Sequence, residues 1–399
     1  MLSILSIACV QVHAAALDRA GQPISAFLEN GNYAEASISV LDGNISGKAR
    51  PQYMLPNTDP STSDMVDHSI YYNVGLKLQL NPYFSFGLIY DQPYGVDAKY
   101  QNKENGTFSA LNEVTSAEVN SQNLAFLFGY QPNKNWNFYA APIYQTIKGN
   151  VELNGRAFEV VSGYKMNIKE NSDLGWLAGF AYQIPEIALK AAVTYRSEIK
   201  HTVTATESFE QPLSSIVPLI GIGTTEITTP QSVNLDLQTG VTPTTLAFLN
   251  ARWVNWKDFA IQPYQFGKVT EFANASQFNY PRGLNLVDYH NDQISLDLGL
   301  AKKVNDLWSG VVSAGWDSGA GNPTSLLGPI DGYWSAGIGF QFNPTPNYFL
   351  QGGVKYFWLG DAIGHSATYA IPDNAENAKV ADYRDNTALA YQLKIGYKF

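Results

Sequence analysis

Asp288, His290 and Asp292 are the residues whose types and spacing come nearest to a catalytic set. In extended backbone, alternate residues share a face, so two carboxylates would flank one imidazole and orient it as a general base. The plainer reading is a polar loop. The remaining histidines are His13, His68, His201 and His365. Asp288 and Asp292 also fall short of a calcium site, which needs dense oxygen ligation. The chain shows no phosphate-binding loop and no zinc motif. No enzyme activity and no cofactor are therefore expected, and the function has to come from the elements around these groups.

The last eleven residues show what those elements are. Leu389, Tyr391, Leu393, Ile395, Tyr397 and Phe399 alternate with Ala390, Gln392, Lys394, Gly396 and Lys398. A period of two means a strand with one apolar face. It ends on an aromatic residue, as the closing strand of an outer-membrane barrel commonly does. The alternative is the edge strand of a soluble sandwich. In a barrel, Lys394 and Lys398 face the lumen, where they line it and could attract a carboxylate.

Composition favours the barrel. Charged residues make up 15% of the 399, against about a quarter in ordinary soluble domains. Aromatics reach 13%, and the mean hydropathy is -0.16. Past the leader, no apolar run approaches the ~20 residues of a spanning helix. A net charge of -10 argues against nucleic acid as a partner. Residues 1–15 read as a signal peptide, with an apolar stretch from Leu2 to Val12 and small residues at Ala14, Ala15 and Ala16. No Lys or Arg precedes that stretch, so the true start is expected further upstream. The single cysteine, Cys9, lies inside it; a lipoprotein reading of Cys9 meets Ser6 where Leu is preferred.

Residues 16–32 are polar, rich in small residues and non-periodic. They read as a short plug or hatch in the lumen, carrying Leu17, Asp18, Arg19 and Phe27. Residues 33–399 then read as about fourteen strands, an even number as in single-chain bacterial barrels. Tight connections alternate with long ones, matching short periplasmic turns and long outer loops. One strand is interrupted at Gln92, Pro93, Tyr94 and Gly95. Proline cannot donate to a ladder and glycine weakens one, so this is either a strand end or a kink that opens the wall. Two long loops are apolar: 208–230, with Ile216, Leu219 and Ile220 and room for a short helix, and 256–292, with Phe259, Tyr264, Phe266, Phe272, Phe278 and Tyr280.

At this point several stretches resemble one family. The run from Gln92 to Tyr100 resembles the "PFGLATEY" stretch of the FadL/TodX outer-membrane transporters of hydrophobic compounds. Gly175-Trp176-Leu177-Ala178-Gly179, with Thr194-Tyr195-Arg196-Ser197-Glu198, resembles that family's "GWNAG…TYRSEVK". Arg252 to Phe259 is similar to its "W-x-x-W-S-x-F", and Tyr333 to Gly337 to its "FWLSAG". The resemblance implies a fourteen-stranded barrel, a lumenal hatch and a kinked third strand beside a lateral opening. It also implies transport of long-chain fatty acids or of hydrocarbons. The family's Asn-Pro-Ala hatch motif is missing, and a basic carboxylate-binding position falls near Thr146.

The resulting expectation is an all-β transmembrane antiparallel barrel that takes up hydrophobic compounds, most of all long-chain fatty acids. Capture is expected at Ile216, Leu219, Ile220, Phe259, Tyr264, Phe266, Phe272 and Phe278, and exit at the kink. The expected partners are the hydrophobic substrate, outer-membrane lipid and the barrel-assembly machinery, around a monomer. A water-filled porin is the alternative. It would need charged rings at a constriction, whereas these loops are aromatic.

Overall fold

A computed structural model describes residues 16–399 except 67, 104–105, 211–212 and 216. The expected leader, Cys9 and Ile216 therefore lie outside the described residues. Sixteen strand segments pair into one sheet, and two of them extend others: Gly95–Lys99 continues the third strand and Thr206–Ser208 pairs onto the end of the sixth. That leaves fourteen barrel strands. They are β1 (Tyr33–Asn44), β2 (Ser69–Gln79), β3 (Phe84–Asp91), β4 (Ser116–Tyr130), β5 (Trp136–Leu153), β6 (Tyr164–Ile184) and β7 (Leu189–Arg196). The second half is β8 (Ser232–Thr242), β9 (Thr245–Val254), β10 (Gln293–Lys303), β11 (Trp308–Asp317), β12 (Tyr333–Thr345), β13 (Tyr348–Leu359) and β14 (Thr387–Lys398).

Each strand pairs antiparallel with its neighbours, and β14 pairs back onto β1 from Tyr33↔Lys398 to Asn44↔Thr387. Closure removes the unpaired edges that hydrocarbon does not tolerate. The alternation read from the sequence sets which side chains face out. On β14, Tyr391, Leu393, Ile395 and Tyr397 are exposed, while Ala390, Lys394 and Gly396 are buried inside. Rings gather at both ends of the outer face. Trp308 packs on Phe342 and Tyr348 stacks on Tyr397 at the turn end; Trp316 meets Trp334 at the other. Such girdles mark the two membrane interfaces.

The connections at the turn end are two to five residues long. Those at the opposite end are long, and they fold together into a cap. Gly47–Ala49, Thr324–Ser325, Ala362–His365 and Lys379–Tyr383 make a four-stranded sheet there. Tyr100 stacks on Phe108 at 4.0 Å and shares a hydroxyl hydrogen bond with Tyr383. The loop 208–230 contains a short helix, α1 (Val217–Ile220), and half of a hairpin, Ile199–Val203 with Thr225–Thr229.

The loop 256–292 reads as irregular in sequence but contains a helix, α2 (Tyr264–Gln277). Phe266, Val269, Thr270 and Asn274 are its buried face, spaced i, i+3, i+4 and i+8. Gly267 and Asn274 lower its intrinsic propensity. A distant carboxylate compensates: the Gln265 and Phe266 N–H groups donate to Glu207 at 2.9 and 2.8 Å, satisfying orphan donors at the positive end of the helix.

Ile338 tests the membrane assignment. It is 69% exposed, midway along β12 between Trp334 and Phe342. Ile338→Arg should cost about 2–4 kcal/mol at the bilayer midplane. Refolding into lipid vesicles, followed through a denaturant titration, measures it; an unchanged midpoint would place this band outside the membrane.

Candidate functional site

The interruption expected in the third strand is a kink with a bulge. β3 pairs with β4 up to Asp91↔Asn123, and the ladder resumes at Gly95↔Asn120. Four steps along one strand oppose three along the other, so one residue is extra. Tyr94 is held at the break, its N–H donating to Ser121 Oγ at 2.9 Å and its carbonyl accepting from Ser121 N at 3.0 Å. On the other side the strand ladder is interrupted. β2 pairs with β3 only from Val74↔Tyr90 downward, and Gly95–Lys99 pairs with β4 alone. The upper part of β2, Ser69 to Asn73, has β1 as its ladder partner. Across the gap, the Gln92 side-chain carbonyl accepts the Tyr72 N–H at 2.9 Å.

The backbone freed by the kink is taken up from inside. Gly95 N donates to Leu17 O at 2.9 Å, Arg19 N donates to Pro93 O at 2.8 Å, and Asp18 bridges Tyr94. The N-terminal segment thus acts as a short extra strand behind the gap. Asp18 is its anchor, 1% exposed. Arg252 Nε on β9 donates to Asp18 Oδ2 at 2.7 Å, and the same guanidinium reaches Asn234, Ser232 and Gln22. Arg196 on β7 donates to the Gln22 carbonyl. Further down, Phe27 is fully buried and meets Tyr139 edge-on at 5.8 Å. A Cβ at Gly87 would stand 2.5 Å from the Phe27 ring, so glycine is required there for the segment to lie against β3.

Lys394 and Lys398 do face the lumen, but as partners of the chain's own acids. Lys394 donates to Glu35 at 3.1 Å, and Lys398 lies 3.1 Å from Glu29 of the segment. Arg19 differs from them. Its Nε is buried and has no hydrogen-bond partner among the described residues.

Above the segment and below the cap lies an apolar cavity with about 1370 Å³ of empty space, part of it open to solvent. Leu17, Met65, Tyr94, Ile168, Ile227 and Trp256 are among its lining, and Arg19 stands at its wall. Trp256 is the centre of an aromatic cluster, edge-on to Tyr94 at 5.6 Å, to Phe259 at 5.1 Å and to Tyr289 at 5.1 Å. The kink is thus part of the cavity wall.

The family model described as "Outer membrane protein transport protein (OMPP1/FadL/TodX)" matches residues 15–399. This chain belongs to that family. Its members are transport proteins of the outer membrane, and the fold and location follow. Among solved structures, a FadL homologue from Pseudomonas aeruginosa superposes with a TM-score of 0.70 at 15% identity, covering 94% of this chain and 92% of that one. The toluene transporter TodX of P. putida gives 0.60 at 11% identity over 94% and 91%. The toluene transporter TbuX of Ralstonia pickettii gives 0.59 at 11% over 97% and 95%. No curated protein matches the chain in sequence.

In this FadL/TodX-family barrel the residues expected to capture ligand do not form one outer groove. Phe266 is fully buried in the cap against Tyr164, so it corrects the expectation of a groove side chain. Phe259 is buried at the cavity wall. Phe272 is 62% exposed, on the opposite face of α2 from Phe266. Tyr264, Phe278 and Ile220 are half-buried; Leu219 lies in α1. The Asp288, His290 and Asp292 arrangement does not assemble either. Asp288 accepts from Asn285 and Asp292 from Trp253, while His290 stacks on His365. The sequence reading missed Arg252, Trp256 and Tyr289. An inward-facing arginine on a wall strand was the available signal for the first.

Asp18→Asn should leave Arg252 charged, buried and short of its counter-ion. Losing one partner of such a pair costs roughly 3–5 kcal/mol, which here falls on the docking of a short segment. The expected result is easier proteolysis near residue 20 and raised conductance in planar bilayers, with the barrel still heat-modifiable. Unchanged protease resistance would show that other contacts hold the segment.

Proposed function

We propose that this protein carries long-chain fatty acids through the outer membrane by way of the apolar cavity, and releases them sideways through the gap beside Pro93. The observation that carries the reading is continuity. The cavity wall contains Leu17, Val66, Tyr94 and Val96, which frame the break between β2 and the kinked strand. Ile70 and Tyr72, on the β2 side of the break, are 42% and 49% exposed on the outer face. A greasy molecule leaving there meets apolar surface throughout. Its transfer is favoured by about 25 cal/mol per Å² of surface kept from water.

Interrupted pairing is costly at membrane depth unless the freed backbone faces protein or a cavity. Here it faces both, through Leu17–Arg19 and the space beside them. In this reading the N-terminal segment is the stopper, and its displacement opens the passage.

Arg19 supports a carboxylate-bearing cargo. A cation at the wall of an apolar chamber suits an anionic head whose tail fills the chamber. Toluene transporters are among the solved structures that this barrel resembles, so neutral aromatics are the competing cargo.

Two substitutions separate the steps. Pro93→Val restores an N–H to the interrupted strand and should cut uptake of labelled oleate several-fold while binding persists. Arg19→Gln should weaken oleate binding about tenfold, the scale of one charge-assisted contact, and leave toluene uptake unchanged. Normal uptake by Pro93→Val would remove the lateral exit. Equal oleate affinity in Arg19→Gln would remove the fatty-acid assignment.

A further inference from the structure

The ladder between β2 and β3 ends in an unusual rung. Its last backbone pair is Val74↔Tyr90. Two residues further along each strand, in the same register, Tyr72 would stand opposite Gln92. A regular antiparallel ladder would hand the Tyr72 N–H to the main-chain carbonyl of residue 92. Here the Gln92 side chain takes it, with Oε1 accepting at 2.9 Å. A side chain thus makes the rung that backbone would otherwise make.

Its depth gives the rung weight. Tyr72 is level with Ile38 on β1, and Ile38 with Leu393 on β14. All three are exposed on the apolar outer face. A backbone N–H in that band has to find a partner within the protein. The main chain beyond Gln92 is drawn inward, where the Pro93 carbonyl accepts from Arg19 N at 2.8 Å. At the cap end the two edges are tied again, by Lys99 N donating to Met65 O at 2.7 Å. Between the two ties lie Val66 and Val96, both in the wall of the large cavity. A backbone rung breaks only when a strand moves. A side-chain rung breaks by rotation about its own bonds, which is fast for a side chain that is only half-buried, as Gln92 is.

We propose that the Gln92 side chain is a releasable latch at the lower edge of the lateral opening. Swinging it off the Tyr72 N–H moves that edge down to Val74↔Tyr90, which lengthens the opening by two residues of strand, about 7 Å. The latched and released states differ by one neutral hydrogen bond, a factor of about five in population. The latch deepens the transport reading and rests on its lateral exit, but not on which cargo leaves there.

Two variants of the full chain test it, with uptake of labelled oleate and labelled toluene measured side by side so that the readout does not depend on the cargo. Gln92→Leu keeps the bulk and deletes the acceptor. The Tyr72 N–H is then unpaired in both states, so the preference for the latched one is lost. Uptake should rise about fivefold with binding affinity unchanged. The second variant ties the edges together. Tyr72→Cys with Gln92→Cys, in a Cys9→Ser background, is joined by a short bis-thiosulfonate crosslinker that reductant removes. Crosslinked protein should take up cargo about tenfold more slowly than the same protein after reduction, as a closed gate does. Heat-modifiable mobility checks that each variant has assembled. A rung of purely structural value would instead give Gln92→Leu a lower denaturant midpoint and no gain in uptake. That result, or normal uptake by the crosslinked protein, overturns the latch. Pro93→Val reports on the exit separately: reduced uptake there beside a crosslink without effect keeps the lateral exit and removes the latch.

Discussion

Every backbone N–H and C=O inside a bilayer has to find a partner within the protein, and the rest of this structure follows from that. Fourteen strands satisfy it by closing on themselves through β1 and β14. The place where the ladder between β2 and the kinked third strand stops, at Gly95, is therefore an informative one. Its freed groups are not abandoned. Leu17, Arg19, Ser121 and the Gln92 side chain each take one up. The same hydrogen bonds that make the break tolerable fix the N-terminal segment behind it, so the integrity of the wall and the position of the segment are one equilibrium.

The lumen below that point is polar but not open. Asp18 with Arg252 and Glu35 with Lys394 are ion pairs shut inside the barrel, and Glu29 meets the partly exposed Lys398. Buried pairs of this kind contribute little net stability compared with apolar packing, because desolvation offsets the attraction. What they provide is position: breaking one partner is costly, so the segment has one seat. An aqueous pore would instead need charged groups free to meet ions.

Aromatic residues in the outer loops divide between two tasks. Tyr100, Phe108, Tyr164, Phe266 and Tyr383 are consumed in holding the cap together. Trp256, Phe259 and Tyr289 face the large cavity. Both sets look alike in sequence, since a loop that folds into a cap needs the same greasy surface as a loop that holds a ligand.

The sequence by itself determined the barrel, the strand count and the position of the kink. Each rests on a local rule: period-two alternation from Leu389 to Phe399, turn residues at regular spacing, and the missing N–H of Pro93. It also determined the family, through short runs such as Thr194 to Glu198. Only the tertiary structure decided what those pieces do together. Helix α2 was illegible because its N-terminal donors are satisfied by Glu207, more than fifty residues upstream, and not by a local cap. Lys394 and Lys398 read as free lumenal cations until Glu35 and Glu29 stood opposite them. Phe266 and Phe259 carry the same signal in one dimension and end up in different places, one inside the cap and one on the cavity wall. Partners that distant in sequence meet only when the chain closes, which is why the cavity and the seat of the N-terminal segment have no signature along the chain.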